Sequence, residues 1–149
     1  MKVTQASRRA GAAQAGIRRL QSGHTIGMKA RDWTSTAAQE WIAHDPDPKT
    51  AAELLECTED DLYERFAQPL TFGTAGMRGP LRGGPNGMTL AVVLRASWAL
   101  AKVLKDRDLH GRNVVVGRDA RHGSDEFALA AAEVLAAQGF SVELMFTAV

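Results

Sequence analysis

The chain has 149 residues, 45% of them apolar and 23% charged, with a net charge of +1. That is enough for one domain with its own core, and it lacks the strongly basic balance of a nucleic-acid binder. A single cysteine, Cys57, excludes an internal disulfide and a thiolate metal cluster and points to a reducing compartment, and no apolar run approaches the roughly 18 residues of a membrane helix.

The charge is unevenly spread. Lys2, Arg8, Arg9, Arg18, Arg19 and Lys29 lie in the first 29 residues with no acid among them, so against the total of +1 the remainder carries −5. Residues 1–32 read as outside the fold, with three explanations open. The segment is a disordered tail, since Ala, Gly, Ser, Gln and Arg offer little to bury. It is an upstream stretch before a better start at Met28. Or it is an organelle presequence. No continuous apolar segment supports a secretory signal. The fold is assigned to 33–149.

From Trp33 the residues Trp33, Ala37, Trp41 and Ile42 recur at near-helical spacing, with Thr34 or Ser35 as a candidate cap. Pro46 and Pro48 break that helix, and Asp45 and Asp47 beside them read as turn residues. A second helix starts near Lys49. Thr58 with Asp61 three residues on resembles a capping signal ahead of Leu62, Tyr63 and Phe66. Pro69 closes this region.

"LTFGTAGMRGPLRGGPNG", Leu70 to Gly87, follows, with six glycines and the arginines Arg78 and Arg82. Leu70 and Phe72, with Thr74 as a further candidate position, read as a short strand running into a turn. Glycines let successive N–H groups form an anion nest, and Arg78 and Arg82 would add fork-shaped donors. A mobile hairpin connection explains the same composition equally well. The Gly and Lys spacings fit neither a dinucleotide fingerprint nor a Walker loop.

Met88 to Arg107 predicts a long amphipathic helix, with Leu90, Val93, Leu94, Ser97, Leu100, Ala101 and Leu104 on its apolar face and Val92, Ala96 and Val103 widening it. Val114 to Val116 suit a strand covered on both faces. The loop Gly117–Gly123 leads into a helix over Ser124–Ala137, Gly139 sits where a C-cap glycine would, and Val142, Leu144 and Phe146 alternate as a second strand. This is a strand–helix–strand unit with parallel strands. The fold class is therefore α/β: an incomplete three-layer α/β/α domain with a mixed, partly parallel sheet, preceded by short helices.

"GRDARHGS", Gly117 to Ser124, lies at the carboxyl end of a strand and before a helix, where open sheets place ligands and helix ends attract anions. Asp119 can fix Arg118 or Arg121 by a salt bridge. Arg121 and Ser124 can face a phosphate or hold another loop, and Ser124 is also a natural N-cap. His122 is a proton shuttle, a phosphate donor, or a solvated loop residue. His24, His44 and His110 lack ligand-spaced partners, so no metal site is predicted. Trp33, Trp41 and Trp98 read as packing anchors.

Together, "FGTAGMRG" (Phe72 to Gly79), the long helix, and "VVVGRDARHGS" (Val114 to Ser124) resemble the α-D-phosphohexomutases, which include phosphomannomutase and phosphoglucomutase. The likeness begins at "WIAHDPDPKT" and runs to about Phe146. It implies a four-domain cytoplasmic isomerase of carbohydrate metabolism. In such an enzyme a phosphoserine exchanges its phosphoryl group with a hexose 1- or 6-phosphate beside one Mg²⁺. It makes Arg78 the catalytic arginine, stabilising the transferring phosphoryl group, with Gly76 and Gly79 permitting its close approach. Gly76, Gly79, Arg82, Arg121 and His122 form the candidate phosphate-binding set, and Arg118, Asp119 and Ser124 the structural set. The family's Thr-x-Ser-His-Asn-Pro loop, its three-aspartate metal loop and its sugar-recognition loop do not occur in these residues, and none of the six serines has the right context. The expectation is a piece of a first domain that binds no Mg²⁺ and is inactive alone. Its alternatives are a non-catalytic sugar-phosphate module, or a fragment that pairs with the remaining domains or with itself through its C-terminal strand. No nucleic acid or membrane is expected as a partner.

Overall fold

The computed structural model describes residues 26–145. Helix α1 spans Ile26–His44, α2 Pro48–Leu55 and α3 Glu59–Ala67. A hairpin of β1 (Phe72–Gly73) and β2 (Gly76–Met77) follows, then α4 (Leu90–Asp106), β3 (Asn113–Val116), α5 (Ser124–Ala137) and β4 (Ser141–Leu144). Residues 1–25, Phe146 and the side chain of Trp33 lie outside the described part, and with them the expectations for the basic segment, the strand end and that packing anchor.

The first three helices form their own small core. Ala38, Leu54 and Phe66 are buried together, with Trp41, Ile42, Cys57 and Leu62 packed against them. Trp41 and Phe66 meet edge-to-face at 6.0 Å, and the Arg95 guanidinium of α4 stands 5.5 Å from the Trp41 ring centre. The turn "HDPDPKT" is built by its two aspartates. Asp47 caps α2 by accepting from the Lys49 N–H at 2.9 Å, with Pro48 as the first helical residue. Asp45 Oδ2 accepts from Trp41 Nε1 and Thr50 Oγ1, and its Oδ1 from the Asp47 N–H, joining α1 to α2. Thr58 caps α3 through the Asp61 N–H, as expected. Thr34 does not cap: α1 starts eight residues earlier, and Thr34 lies buried inside it.

Leu54 is 1% exposed at the centre of this core. Leu54→Ala is expected to cost about 2 kcal/mol in thermal or urea unfolding, the lower end for such a truncation, because a cluster this small can partly collapse. A loss under about 0.5 kcal/mol, within the range of ordinary surface changes, would contradict the packing described.

The second core joins α4, α5 and the parallel pair β3–β4. Asn113 to Val116 lie opposite Ser141 to Leu144 in register. Ala101, Leu135 and Phe140 are buried, backed by Leu104, Val114, Val116 and Val142. α5 ends in a Schellman motif. The Gly139 N–H donates to Ala136 O and the Phe140 N–H to Leu135 O, with Gly139 at φ +89°. Phe140 then packs on Leu135, so the turn that ends the helix also starts the strand against the core.

Two packing expectations need correction. Val114–Val116 are covered on one face only among the described residues. Side chains alternate across a strand, so Val114 and Val116 face the helices while Val115 remains 58% exposed. On α4 the buried residues are Val92, Val93, Ser97 and Ala101. Leu100 and Val103 are exposed, and Trp98, at 53% exposure, is no packing anchor in this fold. A helix packed mainly on one neighbour buries a narrower stripe than its sequence offers.

Candidate functional site

The glycine-rich stretch divides into two parts. Phe72 pairs with Met77 and Gly73 with Gly76, making a minimal antiparallel hairpin turned at Thr74–Ala75. Gly76 takes φ +88°, a conformation that a Cβ disfavours. Arg78 comes directly after this hairpin. It is exposed and makes no ion pair or hydrogen bond with another described residue.

Gly79 to Gly87 is tightly held. The Leu70 N–H donates to Pro85 O at 2.9 Å and the Met88 N–H to Pro80 O at 2.8 Å, closing the base of the hairpin. A Cβ at Gly79 would come within 2.8 Å of the Leu70 side-chain end and 3.2 Å of Asn86 O, so the two legs pass closely here. Arg82 donates to Glu64 Oε1 at 2.9 Å, and Asn86 Nδ2 to Glu64 O at 2.9 Å. Arg82 is thus engaged by α3 and differs from Arg78, which stands open. The stretch has no acid within itself, but α2 and α3 bring Glu53 and Glu64 to it.

Those glutamates went unnoticed in the sequence because their partners lie far along the chain. Glu53 Oε2 accepts from the Gly83 N–H at 2.8 Å, thirty residues away, and its Oε1 accepts from Arg65 Nη1 at 2.6 Å. Burial works to raise the Glu53 carboxyl. The hydrogen bonds from Arg65 and Gly83 and the charges of Arg65 and Arg82 more than reverse it, so its pKa is lowered.

In the second loop, Asp119 gathers its neighbours. Its Oδ1 accepts from Ser124 Oγ at 2.6 Å and from the Arg121 N–H at 3.1 Å, while Oδ2 pairs with Arg121 Nε at 3.1 Å. Ser124 is consequently not the N-cap. Its hydroxyl is turned back to Asp119, and Gly123, at φ +78°, caps α5 without a side-chain bond. Arg118 is half-buried and engaged. His122 is exposed. Asp125 and Glu126 occupy the first turn of α5, which offsets the positive end of its dipole. Asp119, Arg121 and Ser124 are brought together, and Arg121 still leaves most of its guanidinium in solvent at 87% exposure.

The Ser124 hydroxyl, followed by the Arg121 N–H, lowers the Asp119 pKa. A depressed folded pKa means that the loop contact is present above the ordinary carboxylate value and is lost as pH falls through the lower one. The Arg121 amide resonance is expected to titrate with a midpoint below the ordinary aspartate value, and Ser124→Ala to move that midpoint upward. A midpoint unmoved by Ser124→Ala would contradict the assignment.

No three His, Cys, Asp or Glu side chains converge as metal ligands among the described residues. Those residues by themselves do not fit a Mg²⁺ site. No described helix is long and apolar enough to cross a membrane. Two surface grooves lie apart from Arg78 and from the Asp119 loop. One, of about 750 Å³, is lined by Trp41, Phe66, Pro69, Pro85 and Arg95, and the other, of about 540 Å³, by Leu94, Trp98 and Val134. Their walls are mainly apolar, whereas the convergent donors are on the loops, so the chemistry is assigned to the loops.

Comparison with known proteins bears on these loops directly. Residues 69–147 match the family described as phosphoglucomutase/phosphomannomutase, alpha/beta/alpha domain I. The chain is 36% identical over 109 residues to a phosphoribomutase of Saccharomyces cerevisiae, covering 70% of this chain and 18% of that protein. It is 31% identical over 104 residues to a phosphoglucomutase of Staphylococcus haemolyticus, covering 70% of this chain and 19% of that one. To a phosphopentomutase of Mus musculus it is 30% identical over 134 residues, covering 82% and 21%. The chain thus spans about a fifth of the length of these relatives. No solved structure matches. The match takes in the hairpin with Arg78, the helix α4 and the strand–loop–helix–strand unit of Asp119. The chain therefore belongs to the phosphoglucomutase/phosphomannomutase family, through its alpha/beta/alpha domain I.

Proposed function

We propose that this chain contributes the phosphate-facing part of the first domain of a phosphosugar mutase, an isomerase that moves a phosphoryl group between two hydroxyls of one sugar. The observation that carries this reading is Arg78: an exposed guanidinium, uncommitted among the described residues, on a hairpin whose base is fixed. Phosphoryl transfer places charge on oxygens around phosphorus, and a positioned guanidinium stabilises it with forked, charge-assisted donors. Gly76 and Gly79 give the backbone its shape beside Arg78. Arg121 and His122, both exposed on the second loop, are secondary phosphate donors. Arg82 supports the first loop through Glu64, and Arg118, Asp119 and Ser124 hold the second in form.

The relatives' names include phosphoribomutase, phosphoglucomutase and phosphopentomutase, so a pentose phosphate stands beside the hexose phosphates as candidate substrate. Covalent transfer needs a serine nucleophile in the family's loop, and none of the six serines here lies in that sequence. A polypeptide of these 149 residues therefore binds sugar phosphate without isomerising it. In the cytoplasmic enzyme the nucleophile comes from outside these residues.

Calorimetric titration with glucose 1-phosphate and ribose 1-phosphate tests this. Saturable binding, competed by inorganic phosphate, is expected for at least one of them, with no interconversion. The absence of saturable binding would count against the phosphate site, and turnover by these residues alone would refute the division of labour. A second reading, a fragment that docks onto the remaining domains, rests on Val115, which stands exposed on the uncovered face of β3–β4.

A further inference from the structure

The geometry points to Glu53 and Arg65 as positioning residues for Arg78, acting through a two-sided bracket on Gly83. Glu53 takes the Gly83 N–H at 2.8 Å, and Arg65 Nη1 donates to the Gly83 carbonyl at 3.2 Å. The same Nη1 lies 2.6 Å from Glu53 Oε1, so the two side chains fix each other as well as the loop. The backbone N–H and C=O of one glycine residue are thereby held by opposite charges on α2 and α3. Charge-assisted bonds of this kind are stronger than neutral ones.

Gly83 is suited to the role by what it lacks. A Cβ there would lie 2.8 Å from Thr50 O and 2.9 Å from Leu54 Cγ, so the backbone is seated directly on α2. Four residues lie between it and Arg78, and little of that path is free. Pro80 has its φ fixed by its ring and its carbonyl taken by Met88; Arg82 is tied to Glu64. On the far side, Pro85 O receives the Leu70 N–H and Asn86 N donates to Arg65 O at 3.3 Å. Both legs of the hairpin are thus fastened to a loop that is itself fastened at Gly83. Without the bracket, a stretch with six glycines among eighteen residues would lose much conformational entropy on ordering. With it, Arg78 projects from a fixed base. This inference rests on the role proposed for Arg78 and extends it to two residues that touch no substrate.

The test compares the wild-type chain with Glu53→Ala, Glu53→Gln and Arg65→Lys by amide hydrogen exchange and ¹H–¹⁵N spectra. Exchange at Gly83, Leu70 and Met88 is expected to accelerate about tenfold or more in Glu53→Ala, and the Arg78 backbone resonance to move. Ser141 and Met145, bonded to Arg112 and Val116 in the other core, should keep their protection. Glu53→Gln retains an acceptor for Gly83 and should restore much of its protection. Arg65→Lys keeps the charge but loses the fork, and is expected to fall between. If Glu53→Ala unfolds the chain, seen as lost protection at Ser141 and Met145, Glu53→Gln against Arg65→Lys carries the same comparison. Unchanged Leu70 and Met88 exchange and an unmoved Arg78 resonance would overturn the inference. In the same samples, loop opening on mutation without any shift of the wild-type spectrum by glucose 1-phosphate or ribose 1-phosphate would overturn the phosphate-site reading alone.

Discussion

Arg78→Ala is expected to weaken binding of glucose 1-phosphate or ribose 1-phosphate by about 10- to 100-fold, the range lost with charge-assisted hydrogen bonds to an anion. The substitution removes an exposed side chain that has no partner among the described residues. The fold therefore has little to lose, and the melting temperature should stay near that of wild type. That separation is what makes the experiment informative: affinity falls while stability holds. Arg78→Lys keeps the charge and loses the planar fork, so it should recover only part of the affinity. An Arg78→Ala chain that binds like wild type would remove Arg78 from the site.

Gly87→Val is expected to have the opposite signature, a large loss of stability that drags binding down with it. Gly87 is buried, and a Cβ there would overlap the Arg82 carbonyl oxygen. Backbone on both sides of the clash leaves no flexible side chain to give way. Gly87 also donates its N–H to Gly84 O at 3.1 Å, closing the turn that carries Pro85 and Asn86 to α3. Overpacking of a tight site typically costs about 1–3 kcal/mol, and a backbone clash lies at or above the top of that range. Urea unfolding should therefore show a loss of about 3 kcal/mol or more. A loss below about 1 kcal/mol, or one confined to the β3–β4 half, would contradict the loop geometry.

Much of the local architecture was legible because its causes are local. The Thr58–Asp61 cap, a second helix starting near Lys49 and the Gly139 turn each depend on residues within a few positions of one another. The βαβ unit was legible for a similar reason: a short β-branched run, a helical stretch closed by Gly139, and an alternating strand follow one another. What stayed hidden was long-range or competitive. Glu53 and Gly83 lie thirty residues apart, and no periodicity joins an acid on one helix to a glycine in a loop. Ser124 has the chemistry of an N-cap, but Asp119 takes its hydroxyl first. Trp98 and Val115 are apolar enough for a core, yet each stays more than half exposed among the described residues. In the candidate site, the two loops stood out by composition and family pattern. The distinct positions of Arg78, left open, and Arg82, tied to Glu64, needed three-dimensional neighbours to tell apart.

The most direct measurement of the central claim is a ¹H–¹⁵N map of the chain titrated with glucose 1-phosphate and, separately, ribose 1-phosphate. Saturable shifts concentrated at Gly76 to Gly79, with a second set at Arg121 and His122, are predicted for at least one of them. Shifts centred on the groove around Trp41 and Arg95, or none from either ligand, would contradict it.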